Sequence, residues 1–205
     1  QLKDSGAKAI VIIENFAATL AQCIANTPVQ HVVLASMGDR LGWLKGTLVN
    51  YVVRKVKKLV PDYKLPGAVR YNDAVTQGRN SAFKPAPVGP DDVAVLQYTG
   101  GTTGVSKGAT LLHRNLIANV LQSEAWNNPV MKSIPAGQQP ASVCALPLYH
   151  IFAFTVGMML SLRTGGLLIL IPNPRDLPAV FKDLAKETFH SFPAVNTLFN
   201  GLANH

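Results

Sequence analysis

The sequence predicts an α/β protein with a mainly parallel sheet layered with helices. Five short apolar runs, each bounded by Gly, Pro or polar residues, are typical of buried strands. Helical patterns lie between the runs, and parallel strands need such crossovers to connect them. With 205 residues, 48% of them hydrophobic, the chain is long enough to bury a sizeable core. The fold class therefore follows from the alternation of strands and helices.

The predicted elements alternate from the first residues onward. The strands lie at 9–13, 31–34, 93–96, 142–146 and 167–171, and the helices at about 16–25, 41–59, 113–126, 151–162 and 177–186. The Pro- and Gly-rich stretch 80–92 is predicted as a loop that leads into the third strand. Asp176 precedes the last of these helices and is predicted to cap it. Residues 201–205 also lie in a helical pattern.

The stretch from Tyr98 to Gly108 has the composition of a phosphate-binding loop. Glycines at 100, 101 and 104 let backbone N–H groups converge on an anion, while threonine hydroxyls and the Lys107 ammonium add donors. The predicted order is strand, glycine loop, helix, with the helix beginning at His113. An ordinary P-loop NTPase is disfavoured, because Ser106 precedes the lysine and a glycine follows it.

This loop resembles the phosphate-binding signature of the adenylate-forming enzymes, Thr-Ser-Gly-Thr-Thr-Gly-x-Pro-Lys-Gly. Gly100 stands at the serine position and Ser106 at the usual proline. A second stretch, Ala-Leu-Pro-Leu-Tyr-His-Ile-Phe-Ala-Phe at 145–154, places a Tyr-His pair between an apolar strand and a hydrophobic helix. With Asn-Pro-Arg-Asp at 173–176 and Val-Asn-Thr-Leu-Phe at 195–199, the resemblance is closest to bacterial long-chain fatty-acid CoA ligases. It runs from about Ser5 to the end of the chain.

The resemblance implies part of the N-terminal domain of an adenylate-forming enzyme. Residues 1–205 would be a partial AMP-binding domain, with the family's N-terminal start and small C-terminal domain outside the sequence. The implied reaction has two steps: a fatty carboxylate attacks the α-phosphate of ATP, and the CoA thiolate then displaces AMP. ATP, Mg²⁺ and CoA are the implied cofactors and co-substrates. We expect this chain alone not to complete the reaction, because further motifs of the family lie outside it.

The resemblance also implies roles for individual residues. Thr99 would lie near Mg²⁺, His150 would be a catalytic group beside the acyl phosphate, and Phe154 would be an aromatic gate to the acyl pocket. The spacing of four puts His150 and Phe154 on one helix face. Two alternatives stay open: His150 could cap a helix start, and Phe154 could belong to the core. The implied nucleotide-binding residues are Tyr98, Thr99, Gly100, Gly101, Thr102, Thr103, Gly104, Val105, Ser106, Lys107 and Gly108, and the implied acyl-binding residues are Tyr149, His150 and Phe154.

The chain is basic, with a formal net charge of +8. Much of the excess lies at 40–60, where basic residues flank an apolar stripe at helical spacing, formed by Leu44, Leu48, Val52, Val56 and Val60. This amphipathic helix could lie on an anionic membrane surface. The alternative, which the sequence favours, is that the stripe packs on the sheet and the lysines form a solvated face. Nucleic acid is not an expected partner, because no stacking aromatics interleave the basic residues.

Two classes of function remain. The first is part of a long-chain fatty-acid CoA ligase, with a ligase for aromatic or shorter acids as its variant. The second is a non-catalytic lipid- or membrane-binding module that keeps the same sheet. Cys23 and Cys144 are far apart and lack metal-ligand spacing, which indicates a reducing, cytoplasmic setting. No apolar run has transmembrane length, so any membrane association is expected to be peripheral, on the inner face of the cell membrane.

Overall fold

The computed structural model describes residues 1–100 and 107–205, which form two compact units. The first unit comprises Gln1–Pro87 and Tyr98–Gly108, and the second comprises Val88–Gln97 and Ala109–His205. Each unit combines helices with parallel strand pairs. The predicted α/β class with a mainly parallel sheet is therefore confirmed.

A three-stranded parallel sheet in the order β1-β2-β3 is the centre of the first unit. The strands are β1 (Ala9–Ile13), β2 (His31–Ala35) and β3 (Val69–Arg70), and the α-helices are α1 (Leu2–Ser5), α2 (Ala17–Cys23), α3 (Trp43–Tyr51) and α4 (Tyr71–Arg79). Val32 and Leu34 alternate along β2, so both face the same side of the sheet. There they form a buried core with Ala17 and Leu20 of α2.

A charged cluster lies at the carboxyl edge of this sheet. Glu14 directly follows β1 and is only 1% exposed. Arg54 donates two hydrogen bonds to its carboxylate, at 2.9 and 2.8 Å, and a third to the Ser36 hydroxyl at 3.0 Å. Arg70, at the end of β3, adds a contact at 3.3 Å. The hydrogen bonds to Glu14 raise the pKa of Arg54 despite partial burial. A buried carboxylate requires such partners, because an unpaired charge in the interior is costly.

The basic helix consists of α3 and a π-helical turn at Val52–Val56. Gly46 and Val53 are its buried residues. A side-chain carbon at Gly46 would overlap the carbonyl oxygen of Gly38, so the helix approaches this loop by its bare backbone. Leu44 and Leu48 lie on the other side and are exposed. The prediction that the apolar stripe packs on the sheet was wrong for Leu44, Leu48 and Val56, because the glycine contact and the Arg54–Glu14 pair turn the opposite side inward. Val52 and Val60 are half-buried.

The second unit contains two parallel strands, β6 (Ala141–Cys144) and β7 (Leu167–Leu170). They pair along their whole length, from Ala141 with Leu167 to Cys144 with Leu170. Its α-helices are α5 (His113–Ser133), α6 (Leu160–Thr164), α7 (Leu177–Leu184) and α8 (Asn196–Ala203), and a π-helical segment covers Ala153–Met159. Val143 of β6, Val180 of α7 and Leu198 of α8 are buried together in its core. Asp176 caps α7 as predicted, accepting the N–H of Ala179 at 3.2 Å.

Strands β4 (Val93–Thr99) and β5 (Lys107–Leu112) pair in a separate two-stranded sheet. The predicted order of strand, glycine loop and helix was wrong in one respect, because β5 stands between the loop and α5. Lys107 and Gly108 are therefore strand residues and do not lie at a helix N-terminus. The predicted loop at 80–92 is confirmed, since it contains no helix or strand. Four described elements were not predicted: α1, β3, α4 and β5.

Candidate functional site

The predicted phosphate-binding stretch is described only at its two ends. Tyr98, Thr99 and Gly100 are the last residues before the gap, and Lys107 and Gly108 are the first after it. Thr99, Gly100 and Lys107 are exposed, as residues that bind a soluble nucleotide need to be. The predictions for Gly101, Thr102, Thr103, Gly104, Val105 and Ser106 lie outside the described residues.

Tyr98 and Gly108 contact each other across β4 and β5. A side-chain carbon at Gly108 would lie 3.1 Å from Cζ of Tyr98, so the ring lies against the bare backbone. The Tyr98 hydroxyl donates to Asp4 at 2.5 Å, and this hydrogen bond is the main cause of the raised pKa of the phenol. Packing against the Tyr98 ring is therefore sufficient to explain why residue 108 is a glycine. The nucleotide-binding role of both residues stays a prediction.

Gln97 links the strand before the loop to the Tyr-His segment. Its side-chain Nε2 donates to the backbone carbonyl of Tyr149 at 3.1 Å, across 52 residues of sequence. The sequence reasoning missed this residue. A signal was present, because Gln97 is the one polar residue in the run Val-Ala-Val-Leu-Gln at 93–97. It ties the Tyr-His segment to the chain immediately before the phosphate-binding stretch.

His150 caps the helical segment that follows it. Its Nδ1 accepts the N–H of Phe152 at 3.3 Å, and its carbonyl accepts the N–H of Phe154 at 2.9 Å. Since Nδ1 is an acceptor, the neutral ring carries its proton on Nε2. His150 and its neighbour Tyr149 are exposed, so Nε2 is accessible as a donor. Capping and catalysis are thus compatible, because they use different ring nitrogens.

Phe154 is half-buried, one helical turn after His150. From Ala153 to Met159 the helix has π geometry, a feature that is frequent at functional sites. Gly157 allows this segment to lie close to β6, where an added side-chain carbon would meet Cys144 Sγ at 3.5 Å. Burial raises the pKa of the Cys144 thiol, so it remains protonated and is not a nucleophile candidate. The gating role of Phe154 stays a prediction.

A cavity of about 540 Å³ lies at the carboxyl ends of β6 and β7. Residues 145–147 line it after β6, residues 174 and 175 line it after β7, and Thr197 and Leu198 close it from α8. In parallel α/β sheets, ligands bind outside the carboxyl ends of the strands. Three of the four segments that carried the family resemblance therefore meet around one cavity, which the described residues of the 98–108 stretch do not line. Its lining is mostly apolar, with the Arg175 cation and the Thr197 hydroxyl as its polar groups.

Among the described residues, Thr99 is the predicted ligand of a Mg²⁺ ion. The hydroxyl of Thr99 is a hard oxygen donor of the kind that Mg²⁺ accepts. Among the residues that the structure describes, no group of three or more His, Cys, Asp or Glu side chains could form a protein cage for a metal. Mg²⁺ commonly keeps several waters and binds through few protein ligands plus phosphate oxygens.

Comparison with known proteins agrees with this geometry. The sequence profile of the AMP-binding enzyme family matches residues 1–205. The long-chain-fatty-acid CoA ligase of Escherichia coli O157:H7 is 50% identical over 205 residues, which are 100% of this chain and 36% of that protein. The chain thus spans about a third of the length of such curated relatives.

Two solved structures illustrate the structural similarity. ATP-bound MatB from Rhodopseudomonas palustris has a TM-score of 0.56 at 25% identity and is matched over 91% of this chain and 33% of its own. A coronafacic acid ligase from Pectobacterium brasiliense has a TM-score of 0.68 over 99% of this chain and 33% of its own. At 15% identity, the second similarity concerns the fold alone.

Proposed function

The chain belongs to the AMP-binding enzyme family, and from this premise we propose that it is part of an AMP-forming long-chain fatty-acid CoA ligase. Residues 1–205 form part of the N-terminal AMP-binding domain. The intact enzyme activates a fatty acid with ATP to an acyl adenylate, releases pyrophosphate, and transfers the acyl group to CoA with release of AMP. The observation that carries the proposal is the cavity at the carboxyl ends of β6 and β7, where three of the four family-like segments meet.

The first step must overcome repulsion between an anionic carboxylate and a polyanionic nucleotide. Fixed cations and hydrogen-bond donors lower this barrier when they are aimed at the charge that develops. Arg175 lines the cavity and attracts the carboxylate. Lys107 is exposed at the start of β5 and donates to the leaving phosphates together with the glycine-rich residues before it. Thr99 would hold a Mg²⁺ ion, which would supply positive charge beside the phosphates.

The Nε2–H of His150 donates a hydrogen bond to an oxygen of the acyl phosphate. The Nδ1 hydrogen bond to the N–H of Phe152 holds the ring in the required tautomer. Gln97 positions the segment through its hydrogen bond to the carbonyl of Tyr149. The side chains of Tyr149 and Phe154 contact the acyl substrate. The group of residues is thus positioned by backbone contacts on both sides of His150.

The proposed place of action is the cytoplasm, peripheral to the inner face of the membrane. Among the described residues, no helix has both the length and the apolarity to cross a bilayer. The basic helix carries an exposed apolar face, which suits an enzyme whose substrate partitions into lipid. This same face is the observation that favours a non-catalytic lipid-binding module as the second candidate function.

Acid-dependent exchange of labelled pyrophosphate into ATP tests the proposal. The protein in its full natural length is assayed with palmitate and with benzoate, and Lys107→Ala is compared with Lys84→Ala, a lysine in the 80–92 loop. We expect exchange with palmitate only, and its loss in Lys107→Ala but not in the control. Exchange with benzoate alone would indicate a ligase for aromatic acids. No exchange with any acid would favour the lipid-binding module.

A further inference from the structure

We propose that the basic helix docks in the plane of an anionic phospholipid bilayer, with its exposed apolar face inserted between the headgroups. Leu44, Leu48, Tyr51 and Val56 define this docking face, and each is at least 60% exposed. Trp43 stands at the beginning of the helix and is 84% exposed. Several large apolar side chains exposed along one helix indicate an interaction site. That docking gives access to a fatty acid rests on the proposed function. The binding to lipid itself does not depend on that function.

The orientation of the docking face is set by hydrogen bonds on the opposite side of the helix. The side-chain Oδ1 of Asn50 accepts the N–H of Gly38 at 2.8 Å, and Arg54 is held by Glu14. Just past the helix, Asn15 donates to the carbonyl of Leu59 at 3.1 Å. Glu14 is buried and must keep its partner, so the helix does not turn to bury its apolar side instead.

The charge around the docking face identifies an anionic partner. Residues 40–61 contain six basic side chains and no Asp or Glu. Among the described residues, Arg54 is the only one of the six in an ion pair, which leaves Arg40, Lys45, Lys55, Lys57 and Lys58 for other partners. Lysines flanking an apolar stripe, with Trp and Tyr at its border, are typical of a helix at a membrane interface.

Another part of a longer protein is the competing occupant of the docking face. Interfaces between folded parts are depleted of lysine, because its ammonium group loses hydration there without a fixed partner. At a bilayer the lysine stems lie along the apolar boundary, while their ammonium groups remain hydrated near lipid phosphates. The lysine-rich border of this face therefore favours a lipid surface.

Vesicle cosedimentation of the protein in its full natural length tests the inference. The vesicles are phosphatidylcholine alone and phosphatidylcholine with about a third phosphatidylglycerol. We expect binding to the anionic vesicles, weakened by salt, and little to the neutral ones. Lys55→Gln with Lys57→Gln should weaken binding about 25-fold, since each surface lysine contributes about fivefold. Leu44→Gln with Leu48→Gln should weaken it at least about tenfold.

Matched control variants lie outside the docking face. Lys84→Gln with Lys182→Gln removes the same charge, and Phe83→Gln changes an exposed apolar side chain of the 80–92 loop. Each should bind anionic vesicles within about twofold of the unchanged protein. Equal weakening by controls and face variants would overturn the assignment of the face, and so would face variants that bind normally.

Pyrophosphate exchange with albumin-delivered palmitate separates this inference from the proposed function. Normal exchange without binding to anionic vesicles would overturn the docking inference and leave the ligase proposal standing. Vesicle binding that depends on Leu48 and Lys55, without any exchange, would overturn the ligase proposal and leave the docking inference standing.

Discussion

Two helices of this protein contain π-helical turns, but they differ in how far their apolar residues are buried. The basic helix of the first unit leaves Leu44, Leu48 and Val56 exposed. The segment after His150 buries Ala153, Thr155 and Gly157 and leaves its larger residues half-buried. Polar contacts hold the first helix in place, and close packing of small residues holds the second. In the basic helix, a buried ion pair thus determines which side faces inward.

Magnitudes explain why the ion pair prevails over the apolar stripe. Leaving a buried carboxylate without its partner costs about 3 to 5 kcal/mol. Burying one leucine side chain completely contributes about 1.5 to 3 kcal/mol, and partial burial contributes less. Turning the basic helix would partly bury its apolar side chains but would separate Arg54 from Glu14. It would also break the hydrogen bond between Gly38 N–H and Asn50 and the close backbone approach of Gly46 to Gly38, so several losses together oppose the gain from burial.

The largest expected effect is that of breaking the ion pair. Arg54→Ala should lower the free energy of unfolding by about 3 kcal/mol, because Glu14 stays buried with only the longer contact to Arg70. Urea denaturation measures this loss. Lys55→Ala, one residue along and exposed, is the matched control and should change stability by less than about 0.5 kcal/mol. A similar loss in both variants would contradict the role given to the pair.

A smaller expected effect separates capping from catalysis at the second helix. His150→Asn should slow palmitate-dependent pyrophosphate exchange about a hundredfold, because the Nε2 donor is lost. Its stability should change by less than about 0.5 kcal/mol, since Asn is itself a good helix cap. His150→Ala removes both functions and should lose about 1 kcal/mol of stability as well. Normal exchange in His150→Asn would mean that His150 serves only as a cap.

Two glycine substitutions, one in each helix, should change stability in different directions. Gly46→Ala places a carbon against the backbone of Gly38, so the helix must shift and stability should fall by about 1 to 3 kcal/mol. Gly157→Ala meets only Cys144 Sγ at ordinary contact distance. It should leave stability unchanged or raise it by up to about 1 kcal/mol, because alanine is the better helix former. Thermal unfolding of both variants tests the pair, and equal losses would be inconsistent with it.

The smallest expected effect concerns the docking face itself. Leu48→Gln should change the free energy of unfolding by less than about 0.5 kcal/mol, because the side chain is already 63% exposed. Leu20→Gln, in the buried core of the same unit, is the contrasting variant and should lose several times more. A large loss in Leu48→Gln would show that the face is covered in the folded protein.

Local patterns were sufficient for much of the fold. The five apolar runs became strands, because β-branched and other apolar side chains fit a pleated surface. The expectation that all five are buried was wrong for β1, β4 and β7, which contain no buried residue. Asp176 became the cap of α7, because capping depends only on residues three apart. The predicted resemblance to long-chain fatty-acid CoA ligases is also confirmed, at 50% identity over the whole chain.

Other elements required contacts that no local pattern contains. The two-residue strand β3 forms only because β2 is there to pair with it. Strand β5 begins with Lys-Gly, a pair typical of loops, and it gains its conformation from β4. In the candidate site, the sequence suggested His150 and Tyr149 but missed Gln97, whose partner lies 52 residues away.

The sequence by itself determined the strand and helix alternation, the family and the residue types of the candidate site, because these depend on neighbours along the chain. The tertiary structure decided which side of the basic helix faces inward and which segments line the cavity. Those outcomes depend on pairs of distant groups competing for burial. A buried Glu14 that must keep Arg54 outweighs the stripe that the sequence suggested would pack.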